Sequence, residues 1–395
     1  MREDKKYGAS VYIVFVLIVI LLMGIILEGG ARIAFAYQDN IEAWLAIGLR
    51  DLDAYEIADS HHPGHYKLRR GFSQTLKGLI AAKEEGGHIL GVQYIKDRAK
   101  VLNIAEDEIL FQINSDGFKG PEIDRSHSRL RVLTIGDSCT FGTYFDWYSY
   151  PRSLERELQR MGRGVEVING GVRGYKPKDI LYRIEEFKAL RPEITTIYIG
   201  WNALYAEVPF GVERYLYTVR LLKKAYKWFL VSRMGQQEAA LRAYNKPKNP
   251  ERGARGVRSL DRYTFSFMND VEEIVREMQS AGSMVVVLTL PGLFVMDGEV
   301  TGRALEIGHL PTFTDNPYVI AKMSEEYNKG LRRLAQKYNL RVIDLDEWSR
   351  DALNPRDAYF SDSVHLYEEG QEMIGKYMAR ELLPLLPEGN KIGHR

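Results

Sequence analysis

The sequence predicts an α/β protein of three layers (α/β/α), in which helices cover both faces of a parallel five-stranded sheet, with a transmembrane helix in front of it. Two patterns support this prediction. From Leu130 onward, short apolar and β-branched runs alternate with longer amphipathic segments, which is typical of strand–helix–strand units in a parallel sheet. Near the N-terminus, the residues from Val11 to Leu27 carry no charge.

Composition and charge restrict the kinds of protein that this chain can be. Of its 395 residues, 45% are hydrophobic and 27% are charged, which is typical of a globular protein with one large domain and additions. The formal net charge of +1 gives no indication of a nucleic-acid partner. Cys139 is the single cysteine, which excludes an internal disulfide and a zinc site built from cysteines.

The apolar run near the N-terminus predicts a membrane anchor. A helix over Val11–Leu27 covers roughly 26 Å at about 1.5 Å per residue, close to the thickness of the hydrocarbon core. Basic residues at positions 2, 5 and 6 precede this run, and only Arg32 follows it closely. The positive-inside rule therefore predicts a cytosolic N-terminus and a periplasmic or extracellular domain. The alternative is a cleaved signal peptide ending near Ala34–Ala36, but the run is longer than the usual signal-peptide core.

The segment after the anchor has weaker patterns. Helices are predicted over Ile41–Leu52 and Leu76–Lys83, and a strand over Ile109–Ile113 ends at the turn Asn114–Gly117. The stretch Ser60–His65 contains three histidines, which suggests a metal site. Its Pro and Gly predict a loop, and no acidic or cysteine partner has ligand spacing, so no metal is predicted.

The predicted sheet begins near residue 130. Its five strands are expected at Arg131–Ile135, Val165–Ile168, Thr195–Ile199, Met284–Leu290 and Arg341–Leu345. Helices are expected between them at Ser153–Met161, Lys178–Leu190, Phe265–Ala281 and Ile320–Tyr338, and a last helix is expected at Glu368–Leu383.

One long stretch, from about residue 205 to 261, does not fit this alternation. It is helical in pattern over Val219–Val231 and then basic and rich in Gly and Pro, so it is predicted to be an insertion that forms a mobile cap near the mouth of the sheet. Gly292–Thr314 is predicted to be a second long loop on the same side. The expected organisation is a cytoplasmic tail at 1–10, an anchor at 11–28, a juxtamembrane region at 29–128 and the α/β domain at 129–388.

The main candidate for chemistry is Ser138 in the stretch Gly136–Gly142. It lies where a predicted strand ends and the chain bends toward a helix, at the edge where parallel sheets place their functional groups. A serine hydroxyl needs a positioned base to become a nucleophile. A phosphate-binding turn or a helix cap is the alternative interpretation of the bend alone. Cys139 is the rival nucleophile, but adjacent side chains at a tight bend point in different directions, so it is expected to pack in the interior.

Three further motifs follow predicted strands or precede the last helix. Asn169–Gly174 offers glycines that let the backbone approach a ligand and donate an N–H. Gly200–Asn202 places the amide of Asn202 where it can face a developing oxyanion, although Asn202 equally fits a helix cap. In Asp362–His365, the carboxylate of Asp362 can fix the tautomer of His365, leaving its other ring nitrogen to take a proton from serine.

In their order and placement, these four motifs resemble those of the SGNH (GDSL) hydrolase family, over about two thirds of the chain. The resemblance implies a flavodoxin-like sheet, Ser138 as nucleophile, His365 as base and Asp362 as the group that orients His365. It also implies an oxyanion hole formed by the N–H groups of Ser138 and Gly174 and the side chain of Asn202. Ala203 stands where many members carry Asp, but that Asp is not among the residues with these roles. Gly174 fits the second motif better than Gly170 or Gly171.

The resemblance, together with the anchor, implies a membrane-tethered bacterial serine esterase. The expected substrate is an acyl ester, O-acetyl in particular, on an envelope or extracellular carbohydrate, with neither a metal nor an organic cofactor. Two alternatives remain: an O-acyltransferase to a polysaccharide with the same triad, and a non-catalytic carbohydrate-binding protein of envelope assembly. Whether a partner membrane protein supplies an acyl donor stays open at the level of the sequence.

Overall fold

The computed structural model describes residues 9–36, 54–57, 65–85, 89–234 and 244–387. In this part of the chain the strands are β1 Tyr55–Ile57, β2 Tyr66–Leu68, β3 Ser73–Thr75, β4 Ile109–Gln112, β5 Leu130–Gly136, β6 Val165–Gly171, β7 Ile194–Tyr198, β8 Met284–Leu288 and β9 Arg341–Ile343. The α-helices are Ala9–Ala36, Leu76–Glu85, Ile89–Leu102, Ser138–Phe141, Tyr150–Arg160, Pro177–Leu181, Ile184–Ala189, Trp201–Ala206, Tyr217–Met234, Arg255–Arg258, Met268–Ser280, Gly302–Ile307, Pro317–Tyr338, Leu345–Ala352, Arg356–Tyr359 and Glu368–Leu382.

The centre of the fold is a parallel five-stranded sheet in the order β6-β5-β7-β8-β9, which confirms the predicted α/β architecture. Every residue of β5, β6 and β7 is buried. A sheet covered on both faces has this pattern, which explains why these strands are apolar and β-branched rather than alternating. The order corresponds to a doubly wound sheet, whose carboxyl edge is the usual place for a site.

Helices form the two outer layers. Tyr150–Arg160 and Glu368–Leu382 pack against one another, and Met268–Ser280 packs against the short helices Pro177–Leu181 and Ile184–Ala189. Crossovers between parallel strands are right-handed. The chain runs from β5 to β6 in one direction along the sheet and then from β7 to β9 in the other direction. The two groups of helices therefore cover opposite faces of the sheet. Helix Pro317–Tyr338 contacts β8 and β9.

Several predicted strand ends differ from the structure, for local reasons. Strand β6 continues to Gly171 because Asn169, Gly170 and Gly171 pair in register with the end of β5, so the second motif begins inside the strand. Strand β8 ends at Leu288, and the backbone of Leu290 instead bonds to the side-chain amide of Asn328. Strand β9 ends at Ile343, because Asp344 caps the next helix with its side chain.

The predicted helix Lys178–Leu190 is wrong as one element, since the structure has two short helices with a break at Tyr182 and Arg183. The side chain of Arg183 is buried, and its guanidinium lies over the rings of Phe118 and Phe187, at 5.3 and 5.0 Å from their centroids. We infer that this buried stacking position favours the break over a continuous helix. The predicted helices at Leu76–Lys83, Ser153–Met161, Val219–Val231, Phe265–Ala281, Ile320–Tyr338 and Glu368–Leu383 are present, with ends that differ by up to three residues.

The region before the sheet is more structured than its sequence pattern indicates. Strand β1 pairs with β2, and β3 pairs with β4, in two small antiparallel sheets. The helices Leu76–Glu85 and Ile89–Leu102 pack together, and the second of them had no clear sequence signal. Arg98 on that helix forms salt bridges with Glu368 and Glu369, at 2.6 and 2.9 Å, which join this region to the last helix of the sheet domain. The predicted helix Ile41–Leu52 lies outside the described residues.

The N-terminal helix Ala9–Ala36 extends beyond the predicted anchor at 11–28. Over Val11–Phe35 it is long and apolar enough to cross a membrane, as a membrane anchor or a signal sequence would be. Its carboxylate at Glu28 accepts hydrogen bonds from the backbone N–H groups of Tyr217 and Thr218, both at 3.0 Å. The N-terminal helix therefore contacts the start of the helix Tyr217–Met234 in the insertion.

Candidate active site

Ser138 lies where strand β5 turns into a helix. Asp137 caps the short helix Ser138–Phe141, and its carboxylate accepts the N–H of Cys139 at 2.9 Å. Because Ser138 opens this helix, its backbone N–H precedes the first intrahelical hydrogen bonds and is oriented for a ligand. Asp137 is fully buried, and this burial raises the pKa of its carboxyl to about 6.

The structure brings the three residues of the proposed triad together. The Nε2 atom of His365 lies 2.7 Å from Oγ of Ser138, and its Nδ1 atom lies 2.7 Å from Oδ2 of Asp362. The other carboxylate oxygen of Asp362 accepts the backbone N–H groups of Val364 and His365, both at 2.8 Å. These two bonds fix the carboxylate within its own turn, so the geometry orients the imidazole toward the serine hydroxyl.

The electrostatics of this pair favour a charged imidazole and a charged carboxylate. Burial opposes protonation of His365, but the adjacent Asp362 carboxylate outweighs it and raises the pKa of the imidazole above its ordinary value. Burial likewise opposes ionisation of Asp362, but the charge and hydrogen bond of His365 outweigh it and hold the pKa of that carboxyl well below its usual range. Asp362 is therefore ionised at neutral pH.

Gly174 lies in a tight turn after strand β6. The backbone N–H of Tyr175 donates to the carbonyl of Val172 at 3.3 Å, and Gly174 is the third residue of this turn, with φ = +83°. A type II turn needs a positive φ at that position, which favours glycine. The turn exposes the backbone of Gly174 toward the same cavity as Ser138.

Asn202 is the second residue of the helix Trp201–Ala206, which follows strand β7. Its side-chain Nδ2 donates to the carbonyl of Tyr175 at 3.1 Å, next to the Gly174 turn. Asn202 does not cap its own helix with its side chain, since Gly200 is the N-cap residue. The hydrogen bond to Tyr175 uses one of the two N–H groups of the amide, which leaves the second for a ligand.

All five residues with predicted roles line one cavity. Ser138, Gly174, Asn202, Asp362 and His365 lie around a space of about 480 Å³ at the carboxyl edge of the sheet. This volume lies in the usual range of sites for small molecules. Four segments that are far apart in the sequence therefore meet at one rim.

Cys139 points away from this cavity. Its side chain is 2% exposed, and its Sγ atom lies 3.5 Å from the carbonyl of Val364. Burial raises the pKa of the thiol, so the thiolate needed for nucleophilic attack is disfavoured. Ser138 is the nucleophile that the geometry supports.

Buried contacts fix the position of the segment that follows Ser138. Gly171 allows the helix Ser138–Phe141 to approach strand β6, because a Cβ atom at Gly171 lies 2.2 Å from the backbone nitrogen of Phe141. Lys119, whose side chain is buried, donates to the carbonyls of Phe141 and Thr143 at 2.9 and 2.8 Å. Burial lowers the pKa of Lys119 to about 8, although the nearby Asp146 opposes this shift. Gly171 and Lys119 together fix the backbone from Phe141 to Thr143, which follows the helix that carries Ser138.

Sequence reasoning missed several residues that line the cavity. Lys83 and Tyr94 come from the region before the sheet, Tyr144 from the loop after the nucleophile, and Tyr244 from the insertion. Arg173 also lines the cavity, and its place inside the Asn169–Gly174 motif was a signal that could have revealed it. The helix Tyr217–Met234 of the predicted cap packs instead against the N-terminal helix.

The histidine-rich loop does not contribute to this cavity, as far as it is described. His65 is buried beside the rings of Tyr175 and Tyr182, at 5.6 and 5.2 Å between centroids. His61 and His62 lie outside the described residues. Among the residues that are described, no group of three or more His, Cys, Asp or Glu side chains is placed to hold a metal ion.

Comparison with known proteins identifies the family of this domain. Residues 134–373 match the family model described as GDSL-like Lipase/Acylhydrolase family. Among curated proteins, no sequence matches the chain.

Several similar solved structures are named as esterases or acylhydrolases. The acetyl xylan esterase AlAXEase is 17% identical, with a TM-score of 0.41, over 64% of this chain and 100% of that one. The lipase/acylhydrolase from Enterococcus faecalis is 19% identical, with a TM-score of 0.39, over 66% of this chain and 98% of that one. A catalytic mutant of an acetylxylan esterase from Geobacillus stearothermophilus is 18% identical, with a TM-score of 0.39, over 64% of this chain and 94% of that one.

Proposed function

The chain belongs to the GDSL-like lipase/acylhydrolase family, the SGNH serine hydrolases, and on that premise we propose that it is an esterase whose nucleophile is Ser138. In this proposal His365 is the general base, and Asp362 orients and stabilises the imidazole. The N–H groups of Ser138 and Gly174 and the amide of Asn202 form the oxyanion hole. The single observation that carries the proposal is the pair of 2.7 Å contacts that connect Ser138, His365 and Asp362.

The reaction proceeds in two steps. His365 takes the proton of the Ser138 hydroxyl as Oγ attacks the ester carbonyl, and the oxyanion hole stabilises the tetrahedral oxygen. The protonated imidazole then gives its proton to the leaving alcohol, and an acyl group remains on Ser138. Water, activated by the neutral His365, attacks this acyl group, and the carboxylic acid is released with the serine restored. The ionised Asp362 stabilises the imidazolium in both steps.

We propose an O-acylated carbohydrate as the substrate, with acetyl as the acyl group. The cavity of about 480 Å³ suits a small acyl group next to one or two sugar rings, and aromatic side chains such as Tyr94, Tyr144 and Tyr244 line it. Transfer of the acyl group to a sugar hydroxyl uses the same residues, with that hydroxyl in the place of water. Product analysis with an acceptor sugar present distinguishes transfer from hydrolysis.

We also propose that the N-terminal helix is retained as a membrane anchor, with the enzyme domain in the periplasm or outside the cell. Support comes from the contacts that Glu28 and Arg32 make with the insertion, since cleavage near Ala36 removes them. The carboxylate of Glu28 binds the start of the helix Tyr217–Met234, and the Arg32 guanidinium lies 4.6 Å from the ring centroid of Tyr217. Detection of the uncleaved N-terminus in membranes tests this proposal.

Acetate release by the purified full-length chain tests the esterase proposal. The substrates are an aryl acetate and an acetylated oligosaccharide, and the matched variant is Ser138→Ala. We expect the wild-type chain to hydrolyse both esters and Ser138→Ala to be inactive with an unchanged circular dichroism spectrum. Full activity in Ser138→Ala contradicts the proposal.

A further inference from the structure

The first part of the insertion carries a cluster of large apolar side chains that are exposed. They lie on the helix Tyr217–Met234 and on the turn before it, and they are Val212, Tyr215, Leu216, Leu221, Leu222 and Tyr226. These six residues are called the apolar patch below. A single exposed apolar residue is ordinary, whereas a cluster of them on a protein surface indicates a contact with protein or with lipid.

One row of the apolar patch lies on the side of the insertion helix that meets the N-terminal helix. The hydroxyl of Thr218 donates to the carboxylate of Glu28 at 2.9 Å. Leu222 and Tyr226 follow Thr218 at intervals of four residues, so the three lie along one side of the helix. The side chains of Leu222 and Tyr226 are 65% and 66% exposed, so the N-terminal helix does not cover them. The row therefore continues beyond the contact between the two helices.

A second part of the apolar patch also starts at this contact. The ring of Tyr217 meets the ring of Phe35 at 5.4 Å between centroids, and the exposed Leu221 follows Tyr217 by four residues. The carbonyl of Tyr215 accepts a hydrogen bond from the Arg32 guanidinium at 3.0 Å. The apolar patch therefore begins directly beside the last turns of the N-terminal helix.

The position of Glu28 sets the depth of this contact when the N-terminal helix spans a bilayer. The uncharged residues 11–27 cover roughly 26 Å as a helix, close to the thickness of the hydrocarbon core. A carboxylate is costly inside the hydrocarbon, so Glu28 lies at the level of the lipid headgroups. The backbone N–H groups of Tyr217 and Thr218, which bind this carboxylate at 3.0 Å, lie at the same level. The apolar patch is then at the height of the bilayer surface.

We propose that the apolar patch lies on the surface of the bilayer that the N-terminal helix crosses. Leucine side chains such as Leu222 enter the boundary between headgroups and acyl chains, and the rings of Tyr215 and Tyr226 lie at the headgroups, where amphipathic aromatic rings are favoured. Continuity with the N-terminal helix selects lipid as the occupant, because the exposed row starts from a helix that is itself in lipid. The insertion also lines the catalytic cavity through Tyr244, so it connects the bilayer surface to the cavity wall.

This inference rests on the proposed retention of the N-terminal helix and is independent of the esterase reaction. Spin labels on the full-length chain in phosphatidylcholine nanodiscs test it. Labels are attached to one introduced cysteine at a time, in Leu222→Cys, in Tyr226→Cys and in the matched control Val101→Cys, whose position on the helix Ile89–Leu102 is also exposed. Because the native Cys139 is buried, the unsubstituted chain measures the background of labelling.

Electron paramagnetic resonance measures how often each label collides with oxygen, which concentrates in lipid, and with a nickel chelate, which stays in water. We expect the ratio of oxygen to nickel collisions to be at least about threefold higher at positions 222 and 226 than at position 101, because an interfacial helix inserts its apolar side into the acyl boundary. A ratio at 222 or at 226 that is no higher than at 101 overturns the inference. A label that is shielded from both reagents indicates a protein contact and overturns it too.

A label in the middle of the N-terminal helix, in Ile20→Cys, separates two kinds of failure. A high ratio at position 20 together with low ratios at 222 and 226 overturns this inference alone, since the helix spans the bilayer while the insertion stays in water. A low ratio at position 20 contradicts the proposed membrane anchor, and this inference falls with it. Acetate release by the unlabelled chain tests the esterase proposal separately, and its outcome does not change the collision ratios.

Discussion

The imidazole of His365 lies 2.7 Å from the hydroxyl of Ser138, although 227 residues separate them in the sequence. The distance is that of a hydrogen bond, and the second ring nitrogen of His365 is already held by Asp362. The proposed base and the proposed nucleophile are thus in contact without a movement of the loops that carry them.

The Asp362→Asn variant tests the electrostatic role of the carboxylate. Because Asp362 raises the pKa of His365, the neutral base is lost as the pH falls through a pKa above the ordinary value of about 6.5. The acid limb of kcat/KM in the wild-type chain is therefore expected above about pH 6.5. In Asp362→Asn, burial remains and the carboxylate is gone, so the limb moves to lower pH and the plateau falls by at least about 100-fold. If the acid limb of kcat/KM has the same midpoint in Asp362→Asn as in the wild-type chain, the electrostatic role of the carboxylate is contradicted.

The Asn202→Ala variant tests the proposed oxyanion hole. Loss of one donor lowers kcat by about 10²–10³ and changes KM little, because the hydrogen bond strengthens in the transition state. Asn249→Ala is the control, since the side chain of Asn249 is exposed and bonds to Asp315 away from the cavity. Steady-state kinetics of Asn202→Ala and Asn249→Ala measure the effect on kcat and KM. A tenfold rise in KM with constant kcat in Asn202→Ala indicates that Asn202 acts in ground-state binding instead of in the oxyanion hole.

The Gly171→Ala variant tests the close packing under the nucleophile helix. An added Cβ lies 2.2 Å from the backbone nitrogen of Phe141 and 2.6 Å from the carbonyl carbon of Thr140, so the helix that carries Ser138 has to shift. We expect a loss of about 1–3 kcal/mol in unfolding free energy together with reduced kcat. Gly302→Ala is the control, because no described atom lies within 4 Å of its added Cβ. Equal stability of the two variants contradicts the packing account.

The Tyr66→Phe variant tests whether the region before the sheet supports the turn that contains Gly174. The hydroxyl of Tyr66 donates to the carbonyl of Arg173 at 2.5 Å, one residue before Gly174. Removal of this hydrogen bond is expected to cost about 0.5–1.5 kcal/mol and to lower kcat/KM by two- to tenfold. Tyr226→Phe, at a side chain that is 66% exposed, provides the matched comparison and leaves kcat/KM unchanged. If Tyr66→Phe and Tyr226→Phe both have the kcat/KM and the unfolding free energy of the wild-type chain, the turn that contains Gly174 does not depend on this hydrogen bond.

The sheet was predictable from sequence because its strands are buried on both faces. Their apolar runs are local signals that can be recognised in the sequence alone. The same holds for the glycine, asparagine and histidine motifs that follow these runs. The α/β class and the family were confirmed. The motif containing Ser138 was found for this reason, as a serine at the end of an apolar run.

The wall of the cavity was not predictable in the same way. Lys83 lies on a helix before the sheet. This helix packs against Ile89–Leu102, and Arg98 joins that second helix to Glu368 and Glu369 at separations of 270 and 271 residues. Such pairings depend on tertiary structure, and no periodic pattern in the sequence marks Lys83 or Arg98. The helix Ile89–Leu102 was missed because its apolar positions are interrupted by Gly91 and by polar residues.

Covalent labelling of the full-length chain with a fluorophosphonate probe at neutral pH is the most direct test of the central claim. We expect one adduct on the peptide that contains Ser138, detected by mass spectrometry. We also expect no adduct in Ser138→Ala and labelling that is slower by at least about 100-fold in His365→Ala, because the base no longer activates the hydroxyl. An unlabelled wild-type chain, or equal labelling of wild type and His365→Ala, contradicts the account.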